Sequence, residues 1–244
     1  MAFETLNGIV LRYADYRDND RILTLLTREK GLISVTARGV RSKSNSSSSL
    51  VRDAYSYGEF VIYERNSIQY VSYSTIIEAF YPLREDYERL VAAAQAAHIA
   101  EKLAANRQNE ELFSLLYHAL SFIAYGTAVP LDILLCYTAK CLSLAGYEPM
   151  LTSCAACGKP VTDQKSVVFS FRQGGVLCSD CAAGEKQYES IIPEAIRRML
   201  RLAPQDMDHV RLPERIRSEL DKLLFDYAEY VLEQPIRLKN SKHM

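Results

Sequence analysis

Two hydrophobic periods divide this chain of 244 residues. Through residues 6–76, short β-rich runs are separated by turn residues, and no helical period persists. Leu6–Tyr13 predicts a first strand, and the polar stretch Asp15–Asp20 predicts a turn. Arg21–Thr27 predicts a second strand, ended by Glu29-Lys30-Gly31, a tight hairpin signal. Alternation is cleanest in Leu32–Arg38, where Ile33, Val35 and Ala37 point one way and Ser34, Thr36 and Arg38 the other. Gly39–Leu50 holds Arg41-Ser42-Lys43-Ser44-Asn45 and then a run of serines; it has little apolar area to bury and reads as a mobile loop. Glu59–Glu64 and Ser67–Thr75 pair around Arg65-Asn66. Five short strands in about 75 residues predict a small closed β-barrel.

At Tyr81-Pro82 the period lengthens. Leu83–Ala105 carries Tyr87, Leu90, Val91, Ala94 and His98 at helical spacing. Asn109 is a good N-cap for Glu110–Tyr125, whose stripe is Leu112, Leu116, Leu120 and Ile123. Pro130 opens a third helix that Gly146 closes and Pro149 follows. This helix is apolar on most sides, which predicts a place in the middle of a bundle. Pro193–Leu202 and Pro213–Glu233 are further helices; the last has Ile216, Leu220, Leu223, Leu224, Tyr227 and Val231 on one face. No internal repeat is visible.

Between the helices lies the most specific chemistry. Cys154, Cys157, Cys178 and Cys181 form C-x2-C-x20-C-x2-C. Such spacing reads as a metal site before it reads as disulfides, because each C-x-x-C turn presents two sulfurs to one ion. Four thiolates fill a tetrahedron, so the expected ion is one structural zinc with no position left for chemistry. Gly158 after Cys157 permits the tight knuckle backbone, and Val167–Phe171 and Val176-Leu177 flank the hairpin signal Gly174-Gly175. The module reads as a zinc ribbon; a redox dithiol pair and a decayed site are the alternatives. Cys136 and Cys141 sit roughly 140° apart on a helix, which makes them small buried hydrophobes rather than a ligand pair.

Composition narrows the class. Hydrophobic residues are 48% and charged residues 24%, as in globular chains, and the net charge of −1 excludes a generally cationic coat protein. No stretch approaches the roughly 20 apolar residues that cross a bilayer. Met1-Ala2-Phe3-Glu4-Thr5 lacks the features of a secretory signal, so the expected place is the cytoplasm, and no membrane partner is expected. There is no P-loop, dinucleotide fingerprint, nucleophile elbow or H-E-x-x-H, and the histidines at 98, 118, 209 and 243 are scattered. A non-enzymatic protein is the expectation.

One window departs from charge balance. Residues 28–52 carry Arg28, Lys30, Arg38, Arg41, Lys43 and Arg52 against Glu29 alone, six cations to one anion. A small barrel with a cationic loop and outward tyrosines can bind single-stranded nucleic acid: cations meet phosphates, and ring faces stack on bases. The candidate DNA-binding residues are Arg12, Arg38, Arg41, Lys43 and Arg52; the candidate stacking residues are Tyr13, Tyr63, Tyr70 and Tyr73. Packing in the barrel is the ordinary alternative for each tyrosine.

Several runs resemble one family. Gly8-Ile9-Val10-Leu11-Arg12, Asp20-Arg21-Ile22-Leu23-Thr24-Leu25-Leu26-Thr27, Lys30-Gly31-Leu32 and Ala37-Arg38-Gly39-Val40-Arg41 resemble the start of the bacterial recombination mediator RecO. Gly174-Gly175-Val176-Leu177-Cys178-x-x-Cys181 resembles that family's cysteine module. The resemblance implies an α+β multidomain chain: an N-terminal OB-fold β-barrel, then an all-α helical domain with an inserted four-cysteine zinc module. The expected boundaries are 1–80 for the OB-fold DNA-binding domain, 81–150 for the first part of the helical domain, 151–188 for the zinc module and 189–244 for the C-terminal helical part. It also implies binding of single- and double-stranded DNA, annealing of complementary strands, and partnership with RecR and the single-strand binding protein SSB in helping RecA load. SSB is gripped in the family through its acidic, aromatic C-terminal tail, which needs an apolar pocket with a nearby cation. The expected place is among the helices of residues 83–150, where Arg84, Arg89, Lys102, Arg107 and Lys140 are available, or against the last helix. The competing reading is a zinc-ribbon protein–protein adaptor without direct DNA binding, and a nucleic-acid enzyme of unrecognised pattern is a third.

Overall fold

The computed structural model describes residues 2–41, 53–104, 108–161, 164–182 and 187–238. They divide into two compact units, Met1–Gly126 and Thr127–Met244.

In the first unit, five strands close a barrel in the order β1-β2-β3-β5-β4. They are β1 (Phe3–Tyr16), β2 (Asp20–Thr27), β3 (Gly31–Ala37), β4 (Tyr57–Arg65) and β5 (Ile68–Glu78). This is the OB arrangement. β1 is long enough to serve two neighbours: its first half pairs with β4 and its second half with β2. The register slips between Val10 and Arg12, a bulge that bends the strand and lets the sheet close. The expected alternation is present. Leu6, Val10, Leu23, Leu25, Val35, Ala37, Phe60 and Ile62 fill the interior, with Ile33 packed against them. Asn66 and Ser67 both have positive φ (51° and 58°), the geometry of a two-residue hairpin turn that follows strand twist.

Two helices complete this unit, α1 (Tyr87–Leu103) and α2 (Glu110–Tyr125), after a single 3-10 turn at Tyr81–Arg84. The Asn109 side chain accepts from Leu112 N–H at 2.9 Å, as its N-cap role requires, and the Leu112, Leu116, Leu120, Ile123 stripe is buried. α1 departs from its expected face. Tyr87 is 72% exposed and Leu90 38%, while Ala92, Ala93, Ala96, Ala97 and Ala100 are buried with Ile99. Small side chains let α1 approach α2 and β1 closely, and that proximity, not residue hydrophobicity, decides which face is covered. Arg84 and Arg89 hold the unit together. Arg84 donates to Ala79 O, Ala54 O and Ser56 Oγ at 2.7, 2.9 and 3.1 Å. Arg89 donates to Ile123 O and Ala124 O, the otherwise unpaired carbonyls at the end of α2.

The second unit is built on α3 (Pro130–Leu144), which packs against α4 (Ile191–Arg201) and α5 (Glu214–Leu232). α3 ends in a Schellman motif: Tyr147 N–H reaches Leu142 O at 2.8 Å, Gly146 N–H reaches Ser143 O at 2.9 Å, and Gly146 takes φ +84°. Cys136 and Cys141 are buried in this helix, and burial pushes both thiols up to about 12. Asp132, fully buried in the first turn of α3, accepts from Arg217 Nε at 2.6 Å and from Leu212 N–H at 3.1 Å. Lys140 donates to Leu200 O and Leu202 O at the end of α4. Between α3 and α4 lies a three-stranded sheet of order β7-β6-β8, made of β6 (Ser166–Ser170), β7 (Gly175–Leu177) and β8 (Gln187–Glu189). The turn signal at Gly174-Gly175 foretold β6 and β7; β8 is an addition. Among the described residues, no helix is long and apolar enough to cross a membrane.

Candidate nucleic-acid interface and metal centre

The barrel opens a groove of about 460 Å³ on its outer surface. Ile22 of β2, Ser34 and Thr36 of β3, and Arg38 just beyond β3 line it. Tyr16, Arg17 and Asp20, at and beside the β1–β2 turn, and Glu64 and Ser67–Tyr70, at and beside the β4–β5 turn, complete the lining. An OB barrel holds oligonucleotides on this strand face and between these loops. Arg17 sits at φ +52° and lies 5.0 Å over the Tyr16 ring. Arg38 lies 4.2 Å over the Tyr70 ring, and Tyr70 in turn stacks on Tyr63 at 5.4 Å and 23°. Among the described residues neither Arg17 nor Arg38 forms an ion pair. The groove is not uniformly cationic, because Asp20 and Glu64 line it beside the two arginines. Asp20 is turned to structural use, accepting Gly39 N–H at 2.9 Å and so holding the chain beyond β3 against the β1–β2 turn.

The candidate residues fare differently. Arg38 lines the groove. Arg41 is drawn to Asp15 at 3.5 Å, where Arg21 already donates at 2.8 Å. The Arg21 bond foremost holds the Asp15 carboxyl below the usual range. Arg12 is engaged elsewhere: Nε and Nη2 grip Glu101 of α1 at 3.0 and 2.9 Å. Lys43 and Arg52 lie outside the described residues, as does Arg107. Of the tyrosines, Tyr13 lies under the Arg21 guanidinium at 4.0 Å, and Tyr73 is 64% exposed. The sequence reading missed Tyr16 and Arg17. Their signal was the polar turn itself, which in an OB barrel is a ligand loop.

In the second unit Cys154, Cys157, Cys178 and Cys181 converge, with their sulfurs all within 4.8 Å of one another. A tetrahedral ion with metal–sulfur bonds of about 2.3 Å needs sulfurs about 3.8 Å apart. Cys157 Sγ and Cys178 Sγ are 3.7 Å apart. The first knuckle is closed by Gly158 N–H to Cys154 O at 2.8 Å, with Gly158 at φ +77°; the second is closed by Cys181 N–H to Cys178 O at 3.0 Å. Burial acts to raise the Cys154 thiol, but N–H groups of Cys178, Cys157 and Ala156 aim at its sulfur and bring it down to about 6. The set can bind a metal ion such as zinc. Ala155 N–H to Val176 O at 2.8 Å ties the first knuckle to β7.

A second concavity, of about 620 Å³, lies between α4, the 3-10 turn Pro204–His209 and the start of α5. Ala195, Met199, Leu202, Val210 and Ile216 give it an apolar wall, and Glu194, Arg198, Arg201 and Arg211 stand among its lining; Arg198 donates to Glu194 at 3.0 Å and Arg211 to Val210 O at 2.7 Å. The arginines expected near such a pocket, Arg84 and Arg89, instead bind carbonyls within the first unit, and Lys140 does so within the second. His118, half-buried, stacks on Phe122 at 6.1 Å and 20°.

Comparison with known proteins agrees along the chain. The family described as Recombination protein O N terminal matches residues 1–80, and that described as Recombination protein O C terminal matches residues 84–240. The DNA repair protein RecO of Desulforamulus reducens is 34% identical over 248 residues, covering 100% of this chain and 94% of that one. The protein of the same description from Symbiobacterium thermophilum is 31% identical, covering 99% and 96%. That from Bacillus pumilus is 36% identical over 199 residues, covering 80% and 74%.

Proposed function

The chain belongs to the RecO family of DNA repair proteins, and from that premise we propose that it binds single- and double-stranded DNA through its barrel and anneals complementary strands. With RecR it would help RecA load on SSB-coated single strands, in the cytoplasm at the nucleoid and without catalytic turnover. The observation that carries this reading is the groove between the β1–β2 and β4–β5 turns, where Arg17 and Arg38 lie beside the rings of Tyr16 and Tyr70. Guanidinium groups meet phosphate, and ring faces accept unpaired bases whatever their sequence. Arg41, with Lys43 and Arg52, extends the phosphate contacts in this reading; Arg12, held by Glu101, contributes least.

Annealing then needs no energy source. Two strands repel through their phosphates, and a protein that neutralises some of them and holds strands at high local concentration removes much of that barrier. Base pairing supplies the rest. The apolar concavity beside α4 supports docking of SSB's acidic C-terminal tail: an aromatic residue enters the pocket and carboxylates meet guanidinium groups, Arg201 first, since Arg198 is held by Glu194 and Arg211 by carbonyls. Zinc held by Cys154, Cys157, Cys178 and Cys181 would fix the ribbon from which α4 departs, a purely structural duty.

The test is annealing of complementary oligonucleotides coated with SSB, with and without the SSB tail. The expected result is acceleration proportional to protein, saturating near stoichiometry and reduced when the tail is removed. A protein-only adaptor would give no shift of bare oligonucleotides in a gel, and that outcome would overturn the reading.

A further inference from the structure

Beyond the groove, the outer face of the barrel carries a row of aromatic rings. Register places Phe3 of β1 opposite Tyr63 of β4, Tyr63 opposite Tyr70 of β5, and Tyr70 opposite Thr36 of β3. These residues form one line across the strands rather than along them. Their rings follow it: Phe3 to Tyr63 at 5.8 Å and 56°, then Tyr63 to Tyr70 at 5.4 Å and 23°. At the inner end the Arg38 guanidinium covers Tyr70. The outer end is open, since Phe3 is 62% exposed. Phe3 faces away from the interior that Leu6 and Val10 fill, so the row is no part of the barrel's packing core.

We infer that this row is a stacking track for unpaired bases that leaves the groove at Tyr70 and ends on Phe3; Tyr70 and Tyr63 already stack on one another under Arg38, so a base meets the track at its open end, Phe3. The inference rests on the reading of the groove as a nucleic-acid site. It adds a direction for the strand and a residue that no charge argument would select. Ring faces stack on any base, so the track is indifferent to sequence. In a duplex the base faces already cover one another, so the track discriminates single strands from paired ones. It carries no charge and contributes nothing to salt dependence.

The chain contains no tryptophan, so Phe3→Trp introduces a unique indole. The experiment titrates this variant with a dye-labelled oligothymidylate and follows dye anisotropy and indole emission together. The expected result is saturable quenching of the indole along the same curve as the anisotropy, with no quenching by a bound blunt duplex of equal length. Phe3→Leu keeps apolar bulk and removes the ring. It should weaken single-strand binding by roughly tenfold, leave duplex binding as it was, and keep the salt slope unchanged. If anisotropy rises while the indole stays silent, or if Phe3→Leu weakens both substrates alike, the track is wrong and the groove survives. If anisotropy never rises, the groove reading itself fails.

Discussion

Truncating Arg38 or Arg17 tests the groove through the salt dependence of binding. Each phosphate neutralised on a single strand contributes about −0.7 to the slope of log K against log salt. Arg17 and Arg38, which form no ion pair among the described residues, therefore account for a slope of about −1.4, and Arg41, shared with Asp15, brings it to about −2.1. Further steepness would come from Lys43 and Arg52. Arg38→Ala should flatten the measured slope by about 0.7, and Arg17→Ala with Arg38→Ala by about 1.4. Arg12→Ala is the internal comparison. Its guanidinium is held by Glu101 in two bonds, so the slope should not move. Glu64→Gln supplies a test in the opposite direction: it removes a carboxylate from the groove wall and should tighten binding at low salt, a gain that damage to the fold does not produce. The assay is fluorescence anisotropy with a labelled oligothymidylate at five or so salt concentrations. A flattened slope for Arg12→Ala together with an unchanged slope for Arg38→Ala would refute the placement of the phosphate path.

Other expectations concern the architecture that carries the groove and the ribbon. Elemental analysis should find one zinc per chain, and Cys178→Ala should lose it; hydrogen exchange should then rise in residues 127–244 while the barrel keeps its protection. A Cβ at position 175 would lie 2.4 Å from Met150 O, so Gly175→Ala should cost about 1–3 kcal/mol in urea unfolding of the second unit. Burial lowers the pKa of His118 from its usual 6.5. The unfolded chain therefore takes up a proton first as pH falls, and stability present above the unfolded pKa is lost below it. Melting of the first unit should weaken from pH 7 toward about pH 5, and His118→Gln should flatten that dependence.

The barrel was legible because its signals are local. Strand alternation, a glycine after Glu29-Lys30 and a turn at Asn66 each act within a few residues, and the cysteine spacing likewise closes on itself. What escaped depended on partners far along the chain. Arg12 looked like a surface cation until Glu101, 89 positions away, claimed it. Nothing local to Asp132 marks it as the residue that anchors Arg217 of α5 from a fully buried site. In α1 the larger apolar residues suggested one face, whereas the alanines, uninformative by size, marked where a neighbour could come closest. The groove itself follows from topology: Tyr16 and Arg17 belong to a ligand loop only because β1 to β5 close in the OB order.

The charge balance of that groove bears on how an annealing protein must work. Two arginines face two carboxylates, and a strand held by such a surface gains less from phosphate contacts than it would on a purely cationic one. Tighter electrostatic grip would slow release, and an annealing factor has to let its product go. On the proposed function, stacking then carries much of the preference for single strands, and pairing itself removes the faces on which stacking depends. A duplex forming at the groove thereby loses its hold on the rings while keeping only the weaker phosphate contacts, so release is driven by the reaction and not by a separate energy source. Replacing Glu64 and tightening the grip should for this reason raise single-strand affinity while slowing release of the annealed product, the two measurements moving in opposite directions.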